Sequence, residues 1–213
     1  MLTISEIFHS IQGESTYAGL PCVFVRLAAC DLRCSWCDTP YAFTGGSKMP
    51  VDDVMAAVKQ TGCRLVEVTG GDPLLQEHVY PLMARLLDDE MTVLLETGGH
   101  ISLAHVPAGV IRIIDVKCPA SGESHRVHWP NLDALWPSDE VKFVIQDRTD
   151  YDFAKRVLQE RNLASRCACV LFSPVHGVLA PAELAAWILA DRLPVRLQLQ
   201  VHKYIWGADT RGV

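Results

Sequence analysis

The sequence predicts an α/β fold: an abbreviated, partial TIM-like (β/α) barrel of about six parallel strands. Residues 1–213 are expected to form a single domain. Short apolar runs alternate with segments of helical periodicity, the pattern of strands joined by right-handed helical crossovers. The alternation runs through the chain without an internal repeat, a low-complexity segment or a linker. Polar or glycine-rich tips follow several strands (TGGDP, ETGG, DVKCP and FSPVHG), all on the rim where such sheets gather functional groups.

The elements follow in order. PCVFVRLAA reads as a buried strand ending just before Cys30. MPVDDVMAAVKQTG reads as a helix, with Val51, Val54, Met55 and Val58 on one face, Pro50 near its start and Gly62 at its end. RLVEVTGG is a strand running into glycines, and EHVYPLMARLLDD a helix with Pro81 in an early turn. MTVLLETGG is again strand into glycine, and VIRIIDVK, DEVKFVIQD and CACVLFSP are further strands. Helices are expected near Asp150–Arg161 and Pro181–Asp191, and RLQLQVHKY is expected to be the last strand. Cys118–Ser138, with Pro119, Pro130 and Pro137, reads as a long irregular connection.

The chain has 213 residues, of which 49% are hydrophobic, so it can bury a sizeable core. Its net charge of −6 and the lack of a Lys/Arg block argue against a nucleic-acid partner. The opening MLTISEIFHSIQGE lacks a basic segment followed by an apolar one, so no secretory signal is expected. No apolar run approaches the roughly 18 residues of a membrane span. These features predict a cytoplasmic protein with no membrane partner.

Eight cysteines in a chain of this length and apolar content point to metal or redox chemistry more than to disulfides. Cys30, Cys34 and Cys37 form the cluster CDLRCSWCDT, spaced C-x3-C-x2-C. A structural zinc site usually takes four ligands as two separated pairs, and no second pair follows. Cys63 and Cys118 stand alone, and Cys167 and Cys169 share a strand face as packing residues. Three thiolates on one loop suit three irons of a 4Fe–4S cluster, leaving the fourth iron for a non-protein ligand. Zinc completed by a distant histidine, or an incidental cluster, is the alternative.

The cysteine spacing, with an aromatic residue just before Cys37, resembles the radical S-adenosylmethionine (SAM) superfamily. TGGDP, Thr69–Pro73, resembles its glycine-rich GGEP loop, with Asp72 in place of glutamate. The segment EIFHSIQGESTYAGLPCVFVRLAACDLRCSWCDTPY, then TGGDPLLQ, ETGG and QVHKYIW, are together similar to the 7-carboxy-7-deazaguanine synthase family. The resemblance implies a radical SAM core, a 4Fe–4S cluster, SAM as a regenerated cofactor and magnesium. It implies ring contraction of 6-carboxy-5,6,7,8-tetrahydropterin to 7-carboxy-7-deazaguanine, with loss of ammonia, on the route to queuosine and related 7-deazapurines. The adenosyl radical takes the hydrogen from ring carbon 6. A homodimer and a flavodoxin- or ferredoxin-type reductant are also implied.

Carried onto this sequence, the resemblance assigns Cys30, Cys34 and Cys37 to the cluster and Thr39 to magnesium. A single hydroxyl fits an ion that keeps waters and borrows substrate oxygens; a turn hydroxyl is the plain alternative. Trp36, Cys37, Asp38, Gly71, Asp115, Val116, Lys117, Ser173, Pro174, Val175 and His176 are assigned to SAM. Asp38 serves equally as a loop cap. Ile11, Gln12, Gly13, Glu14, Arg26, Thr69 and His202 are assigned to the substrate. Arg26, in an otherwise apolar strand, wants an anion, either the substrate carboxylate or a structural acid. His202 is otherwise a satisfied core or surface residue. Glu96 and Thr97 lie near the ribose or brace the rim. A glutamate at position 72 is expected to be tolerated. A glycyl-radical activase would share the cysteine motif but not IQGE, CDT and HKY together. A non-catalytic iron–sulfur or zinc protein would need no strand-end loops.

Overall fold

The computed structural model describes residues 1–213. Leu2–Ile11 (β1) and Pro21–Leu27 (β2) pair antiparallel, and Ser47–Met49 (β3) pairs antiparallel with β1 on its other side. From β2 onward the sheet is parallel: Leu65–Gly70 (β4), Thr92–Thr97 (β5), Ile111–Asp115 (β6), Glu140–Ile145 (β7), Cys169–Pro174 (β8) and the two-residue Arg196–Leu197 (β9). The spatial order is β3-β1-β2-β4-β5-β6-β7-β8-β9, so the sheet stays open between β3 and β9. This is the partial barrel expected from the sequence, with six full parallel strands, β2 and β4 to β8.

Five helices lie between strands, Val51–Gln60 (α1), Val79–Asp88 (α2), the single turn Pro130–Asp133 (α3), Arg148–Glu160 (α4) and Pro181–Asp191 (α5), and Val201–Trp206 (α6) follows β9. α1 buries Val54, Met55 and Val58. α2 buries Val79, Leu82, Met83 and Leu86, with Pro81 in its first turn, where no intrahelical N–H is needed. Asp147 caps α4 by accepting from the Asp150 N–H at 3.0 Å. Residues 118–138 hold only short 3-10 turns and α3, as the prolines foretell.

Alternation along the strands sorts two faces. Val23, Val25, Val66, Val68, Val93, Leu95, Ile114, Val141, Phe143, Val170 and Phe172 pack in the main core with α1, α2 and α4. The intervening residues turn to the concave face. There Cys22, Phe24, Leu65, Leu94 and Ile113 form a small second core, which plugs the bottom. The positions that follow on that face, toward the carboxyl ends, are Arg26, Glu67, Thr69, Glu96, Asp115 and Lys142, and all line one cavity. The period of 2 thus converts one apolar layer into one polar ring two residues further along.

Two elements depart from the sequence reading. β1 is a ten-residue strand, yet its alternation is hidden by a register shift between Ile4 and Glu6. Leu2 and Ile4 pack in the main core; after the shift Glu6 and Phe8 face the concave side and Ile7 packs outward. The last strand stops at Leu197, and HKY lies on α6. The Gln198 N–H still bonds Phe172 O at 2.8 Å, but β8 ends at Pro174, which has no N–H to continue the ladder. The chain turns instead toward β1, where the Val201 N–H bonds Gly13 O at 2.9 Å.

Candidate active site

The cavity has a volume of about 880 Å³ and opens at the carboxyl ends of the strands. Its wall includes Cys30, Cys34 and Cys37, all half-buried on the loop after β2. Burial pushes each thiol up, Cys34 to about 11. Loading a metal group therefore has to displace thiol protons. No three His, Cys, Asp or Glu side chains are arranged to hold a single metal ion. A lone zinc ion takes its ligands at one point, whereas a cluster takes each thiolate on a separate iron.

The glycine loop after β4 presses on this cysteine loop. A Cβ on Gly71 would lie 2.1 Å from Ala29 O and 2.8 Å from Cys30 Cβ, and one on Gly70 would lie 2.5 Å from Leu27 O. Only glycine permits that approach. Asp72 is 1% exposed. It accepts from the Leu74 N–H at 3.1 Å, from Thr97 Oγ1 at 2.8 Å and from the Gly98 N–H at 2.8 Å. Burial lifts its carboxyl, against the pull of His100, Thr97 and the two amides. His100 Nε2 in turn lies 2.7 Å from Asp31 Oδ1, between the first two cysteines, and Arg126 grips the other Asp31 oxygen at 2.5 Å. Asp72 is therefore a brace between loops. The glutamate expected to be tolerated there would enter an enclosed position where three donors already meet the carboxylate.

Of the residues assigned to SAM, Trp36, Asp38, Gly71, Asp115, Lys117, Val175 and His176 line the cavity with the cysteines. Lys117 Nζ holds Asp115 Oδ2 at 2.7 Å, while buried Asp115 Oδ1 has no partner. Val116 does not line the cavity; its side chain is in the main core, and its N–H bonds Lys142 O at 2.8 Å. Ser173 is buried and likewise absent from the lining, and Pro174 lines a separate cavity of about 100 Å³ beside His176.

The residues assigned to substrate, Ile11, Gln12, Gly13, Glu14, Arg26, Thr69 and His202, all line the main cavity. Gln12 Nε2 donates to Glu67, and Gln12 Oε1 accepts the Glu14 N–H at 3.1 Å. Glu14 is held by Lys142 Nζ at 2.8 Å and Gln200 Nε2 at 3.0 Å. Burial lifts Glu14, but Lys142 and then His202 more than offset it and keep the carboxyl below its usual range. Arg26 Nε is 2.8 Å from Glu6 Oε1, which also accepts from Tyr41 Oη at 2.8 Å. The structural acid foreseen as the alternative is thus present, and Arg26 Nη1 reaches Gly70 O at 3.5 Å, so Nη2 alone has no protein partner. A Cβ on Gly13 would lie 2.1 Å from His202 Nδ1, so glycine lets α6 close over β1. Burial depresses His202, despite Glu14 and Asp38 nearby.

Thr39 Oγ1 donates to Asp38 Oδ1 at 2.9 Å, and Asp38 Oδ2 is 3.1 Å from both Lys203 Nζ and Gln200 Nε2. Burial notwithstanding, Lys203 leads the groups that hold Asp38 far below the usual carboxylate range. A hydroxyl beside a fixed carboxylate is a hard oxygen set suited to magnesium.

The sequence reading missed Glu6, Glu67, Lys142 and Gln200, all in the cavity wall. The signal for Glu67 and Lys142 was present: each is a charged residue inside an apolar strand, the same cue that singled out Arg26. Burial, then Glu96, lifts the Glu67 carboxyl well above the usual range.

Residues 25–160 match the model of the radical SAM superfamily. The chain is similar over its full length to 7-carboxy-7-deazaguanine synthase of Koribacter versatilis, at 49% identity and with all of that protein covered. It is 46% identical to the 7-carboxy-7-deazaguanine synthase of Chlorobaculum tepidum, covering all of this chain and 97% of the relative. In fold it resembles the crystal structure of QueE from Escherichia coli, with a TM-score of 0.72 over 94% of each chain at 20% identity. The fold, the three-cysteine loop against its glycine loop and these full-length similarities together establish that the chain belongs to the radical SAM superfamily and, within it, to the 7-carboxy-7-deazaguanine synthase family.

Proposed function

We propose that the chain converts 6-carboxy-5,6,7,8-tetrahydropterin to 7-carboxy-7-deazaguanine with loss of ammonia, a lyase reaction in queuosine and 7-deazapurine biosynthesis. The observation behind this reading is that the three thiols and the polar strand-end ring open into one cavity of about 880 Å³. That is room for a cofactor and a bicyclic substrate together. A 4Fe–4S cluster with bound SAM supplies the radical that starts the ring contraction.

The chain's own residues bind, orient and shield. Cys30, Cys34 and Cys37 hold the cluster, and Gly71 gives SAM its close backbone approach. Trp36, Asp38, Asp115 and Lys117, with the backbone of Val116, Ser173 and Pro174 and the flanking Val175 and His176, form the cofactor side. Gln12, Glu14, Thr69 and His202 read the amino and amide edges of the pterin, and Ile11 and Gly13 shape its slot. Arg26, through its unpartnered Nη2, takes the substrate carboxylate. Thr39 and Asp38 offer oxygens to magnesium, completed by substrate and water. His202, depressed by burial, stays neutral at neutral pH and able to accept a hydrogen bond. The family resemblance supports a homodimer in the cytoplasm, reduced by a flavodoxin or ferredoxin. All nine strands share one sheet, which supports one radical SAM domain over residues 1–213. No helix is long and apolar enough to cross a membrane.

The test is anaerobic turnover of the reconstituted protein with reductant, SAM, magnesium and the pterin, read by mass spectrometry. Appearance of 7-carboxy-7-deazaguanine is expected. Cleavage of SAM with the pterin untouched would overturn the substrate and favour a protein-directed activase.

A further inference from the structure

Lys142 sits inside the parallel sheet, where a lysine is rare unless paired. Its side chain is 5% exposed, and its stem rises from β7 beside Asp115 in the register of β6. Three carboxylates meet its ammonium from three elements. Glu14 Oε2 approaches at 2.8 Å from the turn after β1, Glu96 Oε1 makes a hydrogen bond from β5, and Asp115 Oδ2 lies 3.9 Å away on β6. The geometry is that of a shared counter-ion: one cation spans the open side of the barrel and ties the β1 turn to β5 and β6.

We propose that Lys142 is a positioning residue for the substrate, holding the Glu14 carboxylate at the place and angle from which it accepts the pterin's N–H groups. The inference rests on the substrate reading of Glu14. Glu14 has three supports: Lys142 on one oxygen, Gln200 on the other, and a Gln12 side chain that fixes its backbone N–H. Of these only Lys142 also supplies charge, so its removal leaves two partly buried carboxylates without a cation. Burial and the carboxylates act oppositely on the ammonium, and the carboxylates prevail, raising it well above its usual value. Its hydrogen bonds run to the carboxylates of Glu14 and Glu96, with Asp115 close by. Lys142 therefore acts on binding and leaves the chemical step alone.

The test is a double-mutant cycle on the reconstituted holoenzyme. For Lys142→Met we expect the KM for the pterin to rise about tenfold or more with kcat nearly unchanged, the mark of lost ground-state and transition-state binding alike. The SAM-induced change in the reduced cluster's electron paramagnetic resonance signal is expected to persist, because Lys142 does not touch the cysteine loop. Adding Glu14→Gln to Lys142→Met should raise KM no further, since both changes remove one interaction. Should the single variant fail to fold, Lys142→Met/Glu96→Gln removes one carboxylate with the cation and is compared with Glu96→Gln alone; the same KM rise is expected. An unchanged KM, a fall in kcat alone, or effects of Lys142→Met and Glu14→Gln that simply multiply would overturn the proposal. A wild-type protein that makes no product would instead overturn the substrate reading itself.

Discussion

Glu67 shows how a single residue ties the sheet to the site. Its side chain belongs to the polar ring above the apolar plug, and it holds the Gln12 amide. Its carboxyl is raised in the folded state by burial and by Glu96. The folded protein therefore binds this proton more tightly than the unfolded chain, whose glutamates titrate near about 4.3. The stability linked to Glu67 is complete below that value and is lost as pH rises toward the folded value. Glu67→Gln should remove this loss. Thermal melts of the apoprotein from acid to mildly alkaline pH should show a flatter profile for the variant, with its advantage over wild type growing as pH rises. Parallel profiles would mean that Glu67 does not carry the proton. Asp72 makes a second case at this scale. Asp72→Glu pushes a methylene into an enclosed site with three donors already satisfied, so a loss of about 1–3 kcal/mol is expected. A denaturant midpoint equal to wild type would contradict the bracing role.

At the scale of elements, the loops owe their positions to close backbone approach. Gly71→Ala brings a methyl against Ala29 O and Cys30, and neither backbone can yield without moving the first cysteine. We expect the variant to keep its far-ultraviolet circular dichroism but to bind less iron on reconstitution. Its kcat/KM should fall by about tenfold or more, equivalent to roughly 1.4 kcal/mol in the barrier. Full iron content with normal turnover would contradict this account of the glycine loop. The parallel strands and their helices were legible because each strand is a short apolar run and each helix has an apolar stripe, as with Val54, Met55 and Val58 on α1. β1 was not, because its register shift breaks the period on which the reading depends. The end of β9 was not, because RLQLQ alternates perfectly well; what stops it is Pro174 on the neighbouring strand, a tertiary fact. Likewise the cysteine loop declared itself by local spacing, whereas the Lys142 cage joins residues far apart in the chain.

At the scale of the whole molecule, the open sheet has one consequence for function. A closed barrel would fill its centre with side chains. Here the bottom is plugged by the small core around Phe24 and Leu94, while the top is left as a polar cavity. The gap between the first and last strands is spanned by polar contacts, with Gln198 and Val201 on Gly13, Thr16 on Glu140, and Gln200 on Glu14 and Asp38. Gln12 and Glu14 near the N-terminus and His202 near the C-terminus thereby line one cavity with the cysteine loop, which puts the proposed substrate and cofactor sides within reach of each other. The most direct test of that central claim uses 6-carboxy-5,6,7,8-tetrahydropterin carrying deuterium at ring carbon 6, turned over by the reduced holoenzyme, with both product and recovered SAM analysed by mass spectrometry. Deuterium in the recovered SAM, alongside 7-carboxy-7-deazaguanine, is the predicted result, since hydrogen would then have passed between substrate and cofactor in one cavity and the cofactor been regenerated. SAM consumed without deuterium incorporation, and with the pterin intact, would contradict it.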